Sequence, residues 1–174
     1  PGASIGWEER RANMNNVCIS CHNQNFVDAF YIQYDGLIDL YHEKFAKPGL
    51  ALYNAAQPLL RKPKFSNKID FVWFEIWHHE GRRARHGASM MGPDYTHWHG
   101  TYEIARNFYT EYIPELTELV EHNLHSDNAE KKAAAEALDK LIDETLNNKN
   151  HAWFLNKMDP AEKARRAKSA EEFK

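Results

Sequence analysis

Apolar side chains recur at helical spacing along most of the chain, and no stretch shows the two-residue alternation of a half-buried strand. Residues 1–16 are polar around Trp7 and read as a short helix or an arm. Phe26, Phe30, Tyr34, Leu37, Ile38 and Tyr41 predict a helix from Asn25 to about Lys47, ending before Pro48-Gly49. Three prolines, Pro48, Pro58 and Pro63, mark residues 48–68 as a connector with one short helix around Leu50 to Leu60. Ile69 to Met91 contains no proline, and its aromatic run Phe71-Val72-Trp73-Phe74-Glu75-Ile76-Trp77 reads as buried on most faces. Gly92-Pro93-Asp94 breaks that segment, and Tyr95 to Gly100 is too short and ring-rich to classify.

Ile104, Phe108, Tyr112, Leu116 and Val120 fall every four residues, beside Glu111, Glu115, Glu118 and Glu121. They predict an amphipathic helix over 101–125, kinked at Pro114. Asp127 with Glu130 predicts the cap of another helix through Leu146, with Leu138, Leu141, Ile142 and Thr145 as its apolar stripe. Asp159-Pro160-Ala161-Glu162 has an N-cap, a proline at the first helical position and an acidic first turn, so the charged tail starts as a helix. The expected fold class is all α, with long C-terminal helices.

Composition narrows the function. The chain of 174 residues, 43% hydrophobic and 27% charged, suits one core or part of a larger one. No apolar run approaches the roughly 20 residues of a membrane span, and the mean hydropathy of -0.73 agrees. A net charge of -3 gives no basic field for nucleic acid, despite the local cluster Arg82, Arg83 and Arg85. The opening Pro-Gly-Ala-Ser-Ile-Gly-Trp lacks a charged segment followed by an apolar one, as expected of a mature or processed chain. The excess lies elsewhere: ten histidines stand beside only two cysteines.

Both cysteines belong to one string, Cys18-Ile19-Ser20-Cys21-His22, which matches the C-x-x-C-H signature of covalent c-type haem attachment. Two thiols at that spacing can form thioethers with the two haem vinyl groups while the next residue offers an imidazole to iron. A thioredoxin-like pair would want a βαβ setting, and a zinc site a second ligand pair; neither is seen. His122, His125 and His151 sit among charged residues near helix ends and read as surface histidines. The cluster His78, His79, His86, His97 and His99 reads either as iron ligands or as a packed polar seam. His79 and His86, seven residues apart, would share one helix face. Arg82, Arg83 and Arg85 read either as a solvated face or as partners for haem propionates.

The strings NNVCISCH, FYIQYDGLIDLYHEKFAKP, WHHEGRRARHGA and MMGPDYTHWHGTYEIARNFY resemble the C-terminal third of the octahaem hydroxylamine oxidoreductase family, from about Trp7 to Trp153. The resemblance implies a helical fold of the multihaem cytochrome c type in a periplasmic or equivalent exported compartment, an anammoxosome-like lumen included. It implies haem c as cofactor, with one covalent haem on Cys18 and Cys21, His22 as proximal ligand, and further haems from elsewhere. His78, His79, His86 and His99 fall in the ligand-bearing strings, and Arg82 and Arg83 beside them would meet the cofactor. Oxidative members bond a tyrosine covalently to the catalytic haem of an adjacent subunit; Tyr95 is the first candidate here and Tyr102 the second.

A full member has one attachment motif per haem, and this chain has one in all. The expectation is therefore a processed fragment, a split subunit or a short paralogue. Its partners would be a haem-bearing polypeptide or the N-terminal portion of the same enzyme, in a trimer-based homo- or hetero-oligomer. A small nitrogen substrate and a redox partner cytochrome complete the set. Residues 1–68 would form the haem-binding segment and connector, and 69–174 the helical region with the His/Tyr cluster, in one structural unit. Three functions stay open: oxidation of hydroxylamine or hydrazine, a reductive relative acting on nitrite or hydroxylamine, and a non-catalytic monohaem electron-transfer subunit.

Overall fold

The computed structural model describes residues 5–172, and every regular element among them is helical. The all-α expectation holds, and no helix among these residues is long and apolar enough to cross a membrane. Backbone contacts group the chain into two compact units, Pro1–Asp39 and Leu40–Lys174, whereas the functional division above was drawn at 68/69.

In the first unit α1 (Trp7–Cys18) buries no residue, and α2 (Gln24–Tyr41) begins after a short turn. A bidentate pair joins the two, with Arg11 Nη1 and Nη2 each donating at 2.7 Å to the Asp35 carboxylate. The same guanidinium lies over the Trp7 and Tyr31 rings, at 5.1 and 4.6 Å from their centroids. Cation–π contact and charge pairing here stand in for a core.

The second unit holds the core. A π turn, His42–Ala46, leads into α3 (Lys47–Ala56), which takes Pro48 in its first turn, so the helix does not stop before that proline. The helix α4 (68–89) consists of Lys68–Phe74, a π turn Glu75–Glu80 and Gly81–Ser89. The helix α5 (93–124) carries two π turns, His97–Tyr102 and Phe108–Tyr112. Then follow α6 (Ala129–Asn147), a 3-10 turn Ala152–Leu155 and α7 (Pro160–Glu172).

The π turns explain the four-residue repeat of α5. Four residues of α-helix overshoot a full turn by about 40°, so a strict repeat of four would wander off the core. The wider turns, bonded i to i−5, rotate less per residue and return the stripe to one face. Ile104, Phe108, Tyr112, Leu116 and Val120 are accordingly all buried. Pro114 falls just after the second π turn, where the donor ladder is already out of register, and the helix continues to Leu124. Against this stripe pack Leu138 and Ile142 of α6, Leu52 and Ala56 of α3, and Trp73 of α4. Tyr112 Oη donates to the Gly49 carbonyl at 2.9 Å.

Two caps also differ in detail. Asn128, not Asp127, caps α6, its Oδ1 accepting from the Glu130 and Lys131 amides at 2.9 and 3.0 Å. At α7 Asp159 caps as expected, accepting from the Ala161 and Glu162 amides at 2.9 and 3.1 Å.

Candidate functional site

The C-x-x-C-H string winds on from the end of α1 as a turn. The His22 and Cys21 amides donate to the Cys18 carbonyl at 2.9 and 3.2 Å, which puts the two thiols one turn apart. Both cysteines are free; Cys18 is half-buried, and Cys21 and His22 are exposed. The His22 ring stacks on Phe26 with centroids 4.5 Å apart. Val17, Ile19 and Phe26 stand exposed around it. Two unpaired thiols, an open imidazole and uncovered apolar side chains make a donor set that fits a thioether-linked haem.

In the second unit a tight reversal builds the other site. Met91 takes a left-handed conformation (φ 52°), and the Gly92 amide donates back to the Gly87 carbonyl at 2.8 Å, ending α4 and turning the chain at once into α5. The two helices then touch through backbone. A Cβ at Gly87 would lie 2.7 Å from the Thr96 nitrogen, and one at Gly100 would lie 2.7 Å from the Ala84 Cα. Only glycine at both positions permits the approach, which brings the His78–His86 face of α4 beside the first turn of α5.

The result is an open concavity of about 450 Å³ lined by His78, His79, Arg82, Arg83, His86 and Tyr95, with Met90 at its edge. Of the candidates in the second unit, His97, His99, Arg85 and Tyr102 do not line it. His99 is a near neighbour, its ring 5.5 Å from that of Tyr95. Tyr102 lies against Trp98 instead, 6.0 Å between centroids. Tyr95 is exposed and sits in a helical turn, Pro93–Thr96. Tyr102 is not at a helix start; it closes a π turn inside α5.

A carboxylate orients one of the imidazoles, a feature the residue pattern did not single out. His79 Nδ1 is 2.8 Å from Glu75 Oε2, leaving Nε2 as its free nitrogen. His78 stacks on Phe74 at 4.4 Å and its Nε2 lies 3.3 Å from Arg82 Nη1, while its Nδ1 is buried without a partner. His99 stands between Asp94 and Glu103, each at 3.6 Å, beyond hydrogen-bond reach. Glu103 also pairs with Arg83 at 3.2 Å. Below the groove Glu80 is buried, one oxygen accepting from Asn107 Nδ2 at 3.3 Å and the other unpartnered. Burial raises its pKa above the usual carboxylate range. Glu75 could have been found from sequence, since it stands one turn before His79.

Comparison with protein-family models, curated proteins and solved structures finds no match. Function therefore rests on the residues themselves. Among the described residues no group of three or more His, Cys, Asp or Glu side chains is arranged to hold a metal ion. Of the two histidines with ring partners in the groove, His79 keeps a free Nε2, while His78 has Nε2 against Arg82 and Nδ1 buried.

Two readings of the chain need correction. His151 is no surface histidine: it is 1% exposed, stacked on Phe108 at 5.2 Å, with Nδ1 2.8 Å from Tyr109 Oη. Burial, with Lys44 nearby, pushes its pKa down to about 4. The aromatic run in α4 is not buried on most faces either; Trp73 is, but Phe71 and Trp77 are exposed, as is Trp98 in α5.

Proposed function

We propose that the chain is part of a multihaem c-type oxidoreductase of the hydroxylamine- or hydrazine-oxidising kind, working with a haem-bearing companion. The observation that carries this reading is convergence. Residues from two separate strings, His78 to His86 and Tyr95, line one open groove, in a chain that also carries a complete C-x-x-C-H string.

Cys18 and Cys21 would hold one haem through thioethers and His22 would be its proximal ligand. Bound there, the group supplies a one-electron iron centre. The other residues have their own tasks. Glu75 fixes the ring of His79 through Nδ1, so the free Nε2 would be the nitrogen to hold an iron, the usual second-partner arrangement of a metal-binding histidine. Arg82 and Arg83 bring positive charge to the same groove, suited to carboxylates. His86 and His99 are the remaining candidate ligands. Tyr95 presents an exposed phenol beside them, the side chain to cross-link with a companion's haem, with Tyr102 as the alternative. The exposed Trp98, beside Tyr102, supports a partner that covers this part of α5.

Native material tests the reading by intact mass after acid denaturation and by sedimentation. The expected results are this chain plus one haem, co-sedimenting with a haem-bearing companion in an oligomer. An unmodified, monomeric 20.3 kDa chain from properly matured protein would overturn it. Replacing Tyr95 with Phe keeps nearly all the packing, so haem content should hold while the catalytic spectrum and rate change; Tyr102→Phe is the control.

A further inference from the structure

A second concavity in the Leu40–Lys174 unit, about 550 Å³, is not used by the reading above. Its walls are rings: Tyr41, Tyr53, Phe65, Trp73, Phe74 and Trp77. Trp73 is buried and stacks with both Tyr53 and Tyr112, at 6.0 and 5.9 Å between centroids, which makes a rigid floor, while Phe65 and Trp77 stand exposed at the cleft.

The charges in it are one-sided. Asp70, its single acid, is spent within the fold: it accepts from Tyr53 Oη at 2.6 Å and from the Phe65 and Asn67 amides at 3.1 and 3.2 Å. Lys64 and Arg85 also line the cleft, and neither has an acidic partner among the described residues. Arg85 donates Nε to the Gly81 carbonyl at 2.9 Å and lies 5.3 Å from the Tyr41 centroid, which anchors its stem and leaves its terminal nitrogens without a protein acceptor.

A backbone observation points the same way. Phe65 adopts a left-handed conformation (φ 64°), unfavourable for a bulky side chain. The bond to Asp70 and edge contacts with Phe71 and Phe74, at 5.2 and 5.8 Å, hold it there, half-exposed at the cleft instead of buried in the core. Strain of this kind gathers at ligand clamps.

We propose that this cleft is a binding site for a flat, conjugated ring compound bearing an anionic group, its rings against Phe65, Phe74 and Trp77 and its charge met by Arg85 and Lys64. The size and the mostly apolar lining with few polar groups suit a small molecule. Phe74, which lines this cleft, also stacks on His78 of the histidine groove, so one ring contact links the two concavities. The site stands on its own residues and does not depend on haem attachment.

Equilibrium dialysis of the full chain against anthraquinone-2-sulfonate tests this. Saturable binding of one probe per chain is expected, weakening with added salt. The double variant Lys64→Gln, Arg85→Gln should bind about tenfold more weakly, and the neutral 2-(hydroxymethyl)anthraquinone should lose a similar factor on the native chain. Lys64 is exposed, so Lys64→Gln alone gives an intermediate loss without disturbing the fold. Absence of binding by the native chain, equal binding by the double variant, or equally tight binding of octane-1-sulfonate, an anion without rings, would each overturn the proposal.

Discussion

Up to Asp39 the chemistry-bearing residues stand on a helix that buries nothing. Cys18, Cys21 and His22 follow α1 as a turn held by its own backbone, and the unit's main side-chain tie is Arg11 to Asp35. Past Leu40, His78, His79 and His86 sit on a helix that also sends Trp73, Ile76 and Ala84 into the core. The proposed attachment at Cys18 and Cys21 would need two thiols at a fixed spacing and little else, because the bonds it makes would supply the order. A groove that offers histidines singly must have their positions set beforehand by packing. The comparison teaches where each function is vulnerable.

The sharpest test of that difference is core truncation. Phe108→Ala, at a fully buried position, should cost about 3–5 kcal/mol, read from urea unfolding of the second unit. Val17→Ala, exposed beside Cys18, should stay within about 0.5 kcal/mol. Equal losses would erase the distinction between the units.

Next in size is acid sensitivity through His151. The unfolded imidazole takes its proton near 6.5 and the folded one only near 4, so the unfolded state binds more protons between these values. Stability is full above about pH 6.5 and falls as pH drops towards 4, by about 3 kcal/mol in all. Urea midpoints measured across that window check it, and His151→Gln should flatten the slope. A slope unchanged in the variant would assign the acid loss to other groups.

A smaller effect is expected where α4 and α5 cross. Gly100→Ala places a Cβ 2.6 Å from the Tyr95 carbonyl and 2.7 Å from the Ala84 Cα, so backbone must shift, at about 1–3 kcal/mol. The groove should widen, making Tyr95 and His86 more reactive to tyrosine and histidine reagents while helix content holds. Unchanged stability and reactivity would mean that the close approach does not set the groove.

Smallest is Arg11→Gln. The pair with Asp35 is partly exposed, so its loss should cost no more than about 1 kcal/mol, yet it should loosen α1, seen as faster amide exchange over Trp7–Cys18. Exchange unchanged there would mean that α1 is held by something other than this pair.

Much of this was legible in the residues. The helical class followed from apolar spacing, and the repeat Ile104 to Val120 named five residues that are all buried. That same repeat, longer than the α-helical period, was also the sign of the π turns, and it was read as a plain helix with a kink. His151 was misread because charged neighbours such as Lys149 and Lys157 suggest a surface; the rings that bury it, Phe45, Phe108 and Tyr109, are distant in sequence.

The sequence by itself determined the C-x-x-C-H string, the all-α class and the set of candidate residues, because cysteine spacing and helical period are local properties. Only the tertiary structure decided that His78, His79, Arg82, Arg83, His86 and Tyr95 face one space, and that Tyr102 does not. That outcome depends on how closely two helices approach, which Gly87, Gly100 and Ala84 allow through contacts that no periodicity along one chain can encode.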